Sequence, residues 1–447
     1  MLSGDNALDR CGELIACARR LGADGADAVY VGSQSESVQV RLGELEDVDR
    51  SESEHFGLRV FIGMRQATIG SSAVDAGRLE ELASRAIAMA RAAPEDENAA
   101  LAPRSLLMRH APPDLDLVST LPGPEELREA ALAGEDAARA VTGVTNSEGA
   151  SAGTGHSVIA LATSDGFGAS YAQSQHSLSA AVVAGEGSGM ERGSEWRVAR
   201  HRGDLPDAAW IGQRAGRRAV DRLGPTSVRS GAMPVVFDPL AGRSLLGHFA
   251  AAISGPSIAR GGSFLLDREG GQVFDSSVTI VDDPLVARGL GSRPFDGEGL
   301  ETRATTLIDK GVLTGWMLDS ASARKLGRQP TGHAVRQGGA APSVSSSNLT
   351  LLAGEPSVAE LIADIAEGVL LTELIGPGVN IVSGDYSRGA AGFLIRDGQI
   401  AGPVSGITVA GNMADMFANM HPARDLDVVY ATNVPTLRVD GMTVAGS

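Results

Sequence analysis

The sequence predicts an α+β protein: N-terminal domains of helix and antiparallel sheet, then a β-rich C-terminal domain with one or two embedded helices. Three observations carry this. Stretches rich in Ala, Leu and Arg at helical spacing alternate with β-favouring runs broken by Gly, Ser and charged turns. Glycine is abundant, at 57 of 447 residues, while aromatics are only 4%, so turns are many and the core is built from Ala, Val, Leu and Ile. From about Gly231, short apolar runs punctuated by Gly, Asp and Pro replace the helical texture.

Leu8, Cys11, Leu14, Ile15 and Ala18 recur at near-helical spacing with Asp5 or Asn6 able to cap, which predicts a helix over 5–21. The stretch from Asp27 to Ser72 alternates β-favouring residues with turn signals and predicts three or four antiparallel strands. Helix returns from Asp75 to Ala93. Residues 94–113 mix Pro, acids and Ala without periodicity, as a linker does, so a first domain is expected over 1–95 and a second over 114–228. Within the second, Gly123–Val141 opens with a proline and acids in its first turn, both helix-start signals. Two hydroxyl-rich runs flank Asp165-Gly166, a hairpin dipeptide, and a helix over Asp204–Leu223 closes at Gly224-Pro225. The third domain, 229–447, carries a helix over Leu240–Ile253 and a hairpin signal at Arg396-Asp397-Gly398-Gln399.

The formal net charge of −17 would repel a phosphate backbone, which disfavours direct nucleic-acid binding. The two cysteines, Cys11 and Cys17, exclude a disulfide framework or a multi-cysteine zinc module and fit a reducing cytoplasm. No uncharged apolar run is long enough to span a bilayer, so a soluble, unprocessed protein without membrane contact is expected. Lysine occurs only at 310 and 325, which leaves Schiff-base and P-loop chemistry almost without candidates.

Among the eight histidines, no two lie three to five positions apart, so a helical two-histidine zinc motif is absent. Gly149-Ala150-Ser151-Ala152-Gly153 matches GxSxG, but a nucleophile elbow needs a helix after its serine and here a strand follows; Ser151 reads as part of a Gly/Ser turn. Gly185–Gly189 lacks the spacing of a dinucleotide loop and reads as a hairpin tip. His248 falls in the middle of the Leu240–Ile253 helix, where a buried core histidine competes with a functional one. Asp282-Asp283 and the pair Asp296 and Glu298 in Pro294–Gly299 offer carboxylates for acid–base work or a cation, against the favoured reading of solvated turns. Asp385, Tyr386 and Arg388 form a polar cluster in GDYSRG, where Asp385 and Arg388 could simply pair at a surface.

LLGHFAAAISG, SRPFDGEG, TTLIDKGVLTGWMLDSASARKLG, TGHA, GVLLTELIGPGVN, SGDYSRGAAGFLI and the terminal LRVDGMTVAG follow one another as in the TldD/PmbA family, and the chain resembles its PmbA (TldE) branch. The resemblance implies one half of a TldD–TldE assembly, a cytoplasmic zinc metallopeptidase acting on unfolded peptides and historically described as a modulator of DNA gyrase. In the TldD branch a helix carries His-Glu-x-x-x-His and a C-terminal cysteine completes the metal site. Matching its Gly-His ending to Gly247-His248 puts Arg243 where the first histidine stands and Ser244 where the glutamate stands. A guanidinium cannot ligate zinc, serine cannot replace the general base, and nothing after Cys17 is a cysteine.

A spacing of five also sets the outer motif positions about 140° apart on a regular helix. The resemblance therefore implies a chain with no catalytic residue and no metal of its own, zinc in a TldD-type partner, and a homodimer when isolated. Asp296, Glu298, Asp385, Tyr386 and Arg388 are candidates for substrate or interface contacts, and a Gly-rich strand such as SGDYSRGAAGFLI could take an extended peptide by strand addition. Two other readings stand beside it: a non-enzymatic protein regulating DNA gyrase by direct contact, and an independent hydrolase built on Ser151, or on Asp296 and Glu298 with a borrowed metal.

Overall fold

The helices start where local chemistry starts them. In the computed structural model, which describes residues 1–72, 76–336, 338 and 341–446, the Ser3 hydroxyl accepts the Asn6 N–H at 3.3 Å and opens α1 (Gly4–Arg20). A short 3₁₀ turn precedes α2 (Leu79–Ala92); the expected start at Asp75 lies outside the described residues. Pro124 and two glutamates open α3 (Pro124–Arg139), and Asp207 caps α4 (Ala208–Asp221) by accepting the Ala209 N–H at 2.8 Å.

Six strands, β1 (Gly25–Arg41), β2 (Glu44–Ile62), β3 (Arg65–Ser71), β4 (Val144–Thr163), β5 (Gly168–Ala184) and β6 (Glu191–Ala199), form one antiparallel sheet in the order β3-β2-β1-β4-β5-β6. The 94–113 linker thus separates two stretches of sequence but not two sheets. β1 pairs with β2 along one edge and with β4 along the other, from Asp27 opposite Thr163 to Val40 opposite Ala150. Without β4, that edge would leave a row of backbone donors and acceptors unpaired, while loop-closure entropy grows only slowly with loop length.

All four helices cover one face of this sheet. Ala26, Ala28 and Tyr30 pack under α1 and α2, and Val38 and Val40, on the same side of β1, pack under α3 and α4. Helices α3 and α4 approach so closely at Gly212 that a Cβ there would lie 2.0 Å from the Gly134 carbonyl oxygen. On the other face, Val29, Leu161 and Ala169 pack against Phe295 and Leu300 of the C-terminal region.

The C-terminal region closes a sheet on itself. Strand β7 (Gly231–Phe237) lies between Glu367–Ile375 and Leu437–Ala445; Asp385–Arg396 and Gln399–Asn412 continue the order, and Thr408 to Ala410 pair back onto Leu437–Ala445. The hairpin at Asp397-Gly398 forms as expected, with φ values of 48° and 73° that suit a tight turn between twisted strands. Helix α5 (Pro239–Ala252) packs into this region with Phe249 edge-on to Phe274, which stacks on Phe417 at 4.2 Å. Four more helices of five or six residues occur among the described residues, against the one or two helices expected in all, because pieces so short carry too little periodicity to register.

Buried charges join the two halves. Arg59 on β2 donates to Asp27 on β1 at 2.8 Å through Nε and reaches Glu298 at 3.4 Å, and Arg336 donates to the other Asp27 oxygen at 2.6 Å. The side chains of all four are no more than 5% exposed. Burial pushes the Asp27 pKa up, but Arg336 and Arg59 outweigh it and hold the carboxyl below its ordinary value. Removing Arg59 leaves Glu298 without the guanidinium that it meets and Asp27 with Arg336 alone. Arg59→Ala is therefore expected to cost about 3–5 kcal/mol in urea unfolding, whereas Arg328→Ala, which breaks the more exposed pair with Glu269, should leave the midpoint nearly unchanged.

Candidate functional site

Helix α5 is anchored at its first turn. Asp238 caps it by accepting the Ala241 N–H at 2.7 Å, Pro239 follows, and the Asp238 N–H donates to the Leu371 carbonyl of the neighbouring strand at 2.9 Å. From this fixed start the helical period sends Arg243 and His248 in different directions. The Arg243 guanidinium lies 4.0 Å from the centre of the Tyr430 ring and 6.0 Å from that of Trp196. The His248 ring lies 6.2 Å from that of Tyr386, edge-on at 68°. Ser244, between them in sequence, donates its hydroxyl to the Ala241 carbonyl at 2.8 Å.

The strand Asp385–Arg396 explains which residues meet His248. Side chains alternate along a strand, so Tyr386 and Arg388 share one face and Asp385 takes the other. Asp385 is exposed and accepts the Ser383 hydroxyl at 2.7 Å; it does not pair with Arg388, whose Nη2 donates to the Leu374 carbonyl at 3.3 Å. The three residues grouped as one cluster in the sequence are thus divided, and two of them join a histidine from α5.

Within the cluster the Tyr386 hydroxyl is turned toward the Arg388 guanidinium, and His248 Nε2 is buried without a hydrogen-bond partner. Buried polar atoms are rarely left so. Burial, assisted by the Arg388 cation, lowers the His248 pKa below its ordinary 6.5. Burial also raises the Tyr386 pKa to about 12, with Arg388 opposing. Near neutral pH the cluster is a neutral imidazole, a phenol and a guanidinium. It can donate to a carbonyl or carboxylate and accept from an amide.

Zinc does not fit here. A catalytic zinc takes three protein ligands, and a guanidinium beside the single imidazole would repel the metal. Among the described residues no group of three or more His, Cys, Asp and Glu side chains is placed to hold a metal ion.

Asp296 and Glu298 correct an expectation. They are 1% and 3% exposed, so the solvated turn favoured from the sequence is wrong: the loop is wedged between sheet and C-terminal domain. Asp296 accepts the Glu298 and Leu300 N–H groups at 2.8 and 2.9 Å, and Glu298 accepts the Ser320 N–H at 2.8 Å beside Arg59. Burial and the charge of Glu298 push the Asp296 pKa up to about 7. These contacts tie the halves together and lie apart from the His248 cluster. Ser151 sits inside β4 with strand on both sides, so it has no elbow geometry and is not in the Gly/Ser turn expected from the sequence. What the sequence did not reveal is the company Arg243 keeps: Tyr430 and Trp196 carry no local signal linking them to it.

Three models of PmbA/TldA metallopeptidase domains match the chain: domain 1 over residues 26–90, the central domain over 120–223 and the C-terminal domain over 230–446. Metalloprotease PmbA of Escherichia coli O157:H7 is 36% identical over 400 residues, covering 89% of this chain and 87% of that one. A crystal structure of a candidate modulator of DNA gyrase from Bacteroides thetaiotaomicron superposes with a TM-score of 0.91 at 26% identity, covering all of both chains. TldE from Thermococcus kodakarensis shares the fold at a TM-score of 0.86 and 21% identity, over 98% of this chain and 100% of that one.

Because the native pKa of His248 lies below the unfolded value, its share of stability is whole above the ordinary 6.5 and is lost as the pH falls below it toward the native value. Arg388→Gln removes the neighbouring cation and is expected to raise the His248 pKa in an imidazole NMR titration; an unchanged value would refute the coupling.

Proposed function

The chain belongs to the PmbA/TldA metallopeptidase family, and from that membership we propose that it is the metal-free, TldE-type subunit of a TldD–TldE zinc metallopeptidase assembly that degrades unfolded peptides. The single observation that carries this reading is the geometry of α5. Arg243 and His248 leave the helix toward different neighbours, and the imidazole that remains faces a guanidinium instead of further ligands. Hydrolysis then falls to a TldD-type partner that holds the zinc.

The part left to this chain is to hold substrate. By this reading the polar face of Tyr386, Arg388 and neutral His248 would meet peptide carbonyls, carboxylates or amides when the partner and substrate are bound. A static cluster of this kind favours an extended, unfolded segment, since a folded domain has already satisfied its own backbone groups.

Metal analysis and degradation of an unfolded peptide, on the chain alone and mixed with a TldD-type partner, test the proposal together. The isolated chain is expected to carry far less than one zinc and to be inactive, and the mixture to degrade the peptide faster than the partner alone. Stoichiometric zinc or activity in the isolated chain would overturn the assignment, as would co-purification with DNA gyrase and no effect on peptide degradation.

A further inference from the structure

The side of α5 that carries Arg243 borders a cavity of about 210 Å³ between α4, β6 and the segment 427–434. Its charges are unevenly matched. Glu195, 1% exposed, is the shared partner of three guanidiniums: Arg197, Arg214 through Nε at 3.1 Å and Arg218 through Nη1 at 2.9 Å. Arg243 joins none of these bonds, and its Nε is buried without a partner. Two carboxylates line the cavity itself: Asp238, which caps α5, and Asp427, which is exposed.

The walls are aromatic. Besides Tyr430 and Trp196 beside Arg243, Trp210 lies 5.0 Å from Arg197 and 5.1 Å from Arg214. Of the three tryptophans in the chain, Trp196 and Trp210 are 39% and 37% exposed and both stand here, whereas Trp316 is buried. Exposed tryptophan among arginines is the composition of a binding hot spot, not of a solvated surface.

We propose that this cavity binds the free carboxylate end of a peptide whose last side chain is apolar. Arg243 offers the one guanidinium that Glu195 does not engage, and a carboxylate matches its planar donors. The Trp210 and Tyr430 rings supply a flat apolar wall for the side chain. At about 210 Å³ the cavity has room for a single terminal residue. That the carboxylate belongs to a peptide rests on the function proposed above; the binding itself does not.

The test uses the isolated chain and the intrinsic fluorescence of its tryptophans, of which Trp210 lines the cavity and Trp196 packs against Tyr430. N-acetyl-leucine and a leucine-ended hexapeptide with a free carboxylate are expected to give a saturable change, while N-acetyl-leucinamide, the amidated hexapeptide and inorganic phosphate are not. Arg243→Gln is expected to weaken binding by at least about tenfold, as loss of a charge-assisted hydrogen bond does, and Arg243→Lys by less, with urea unfolding establishing that both variants fold. An equal response to the amides, an equal response to phosphate (an adventitious ion only), or unchanged binding by a folded Arg243→Gln chain would each overturn the proposal. Binding of N-acetyl-leucine but not of the free-ended hexapeptide would overturn the peptide as its source. No partner subunit and no hydrolysis enter this readout, so a chain that binds these ligands yet leaves a TldD-type partner unaffected refutes only the proposed function.

Discussion

Four charges taken out of water between the sheet and the C-terminal region fix how the two halves meet. Asp27 and Arg59 sit on adjacent strands, Glu298 on a buried loop and Arg336 well beyond it in sequence. Each would be costly to bury alone, and each finds its partners only in one relative placement of these segments. An apolar contact such as that of Val29 against Phe295 tolerates small shifts, whereas a guanidinium bonded to two carboxylates does not. The Arg243 cavity lies where residues of β6 and α4 meet α5 and the 427–434 segment.

What was legible in the sequence is what local chemistry decides. Pro124 with its glutamates and the amphipathic spacing of Leu8 to Ala18 announce helices within a few residues of their observed bounds, and Asp-Gly pairs announce two hairpins. The pairing of β1 with β4 was not legible, because residues more than a hundred positions apart share no local signal, and a linker of Pro and acids looks the same whether it joins two sheets or two parts of one. The candidate site divides in the same way. Alternation along GDYSRG already separates Asp385 from Tyr386 and Arg388, while the approach of His248 to that face is a tertiary fact.

Asp296 and Glu298 show why a motif of carboxylates and glycines is ambiguous. Gly, Asp and Pro make a good solvated turn because their own backbone and side chains satisfy one another, and Asp296 does accept two N–H groups from its own loop. That self-sufficiency is also what allows the turn to be buried. Burial then requires a counter-charge, and Arg59, some 240 positions earlier, provides it.

Helix α5 carries the final step. In a straight helix, positions five apart cannot converge on one ligand without a distortion, and α5 is regular from Pro239 to Ala252. Positions 243 and 248 therefore belong to different neighbourhoods and answer to different partners. Arg243 is drawn to aromatic faces that attract a cation and lie beside a carboxylate already claimed by three others. His248 is drawn to a phenol and a guanidinium, where burial keeps it neutral. The separation of Arg243 from His248 and the two environments that they enter are therefore one consequence of the same helical period.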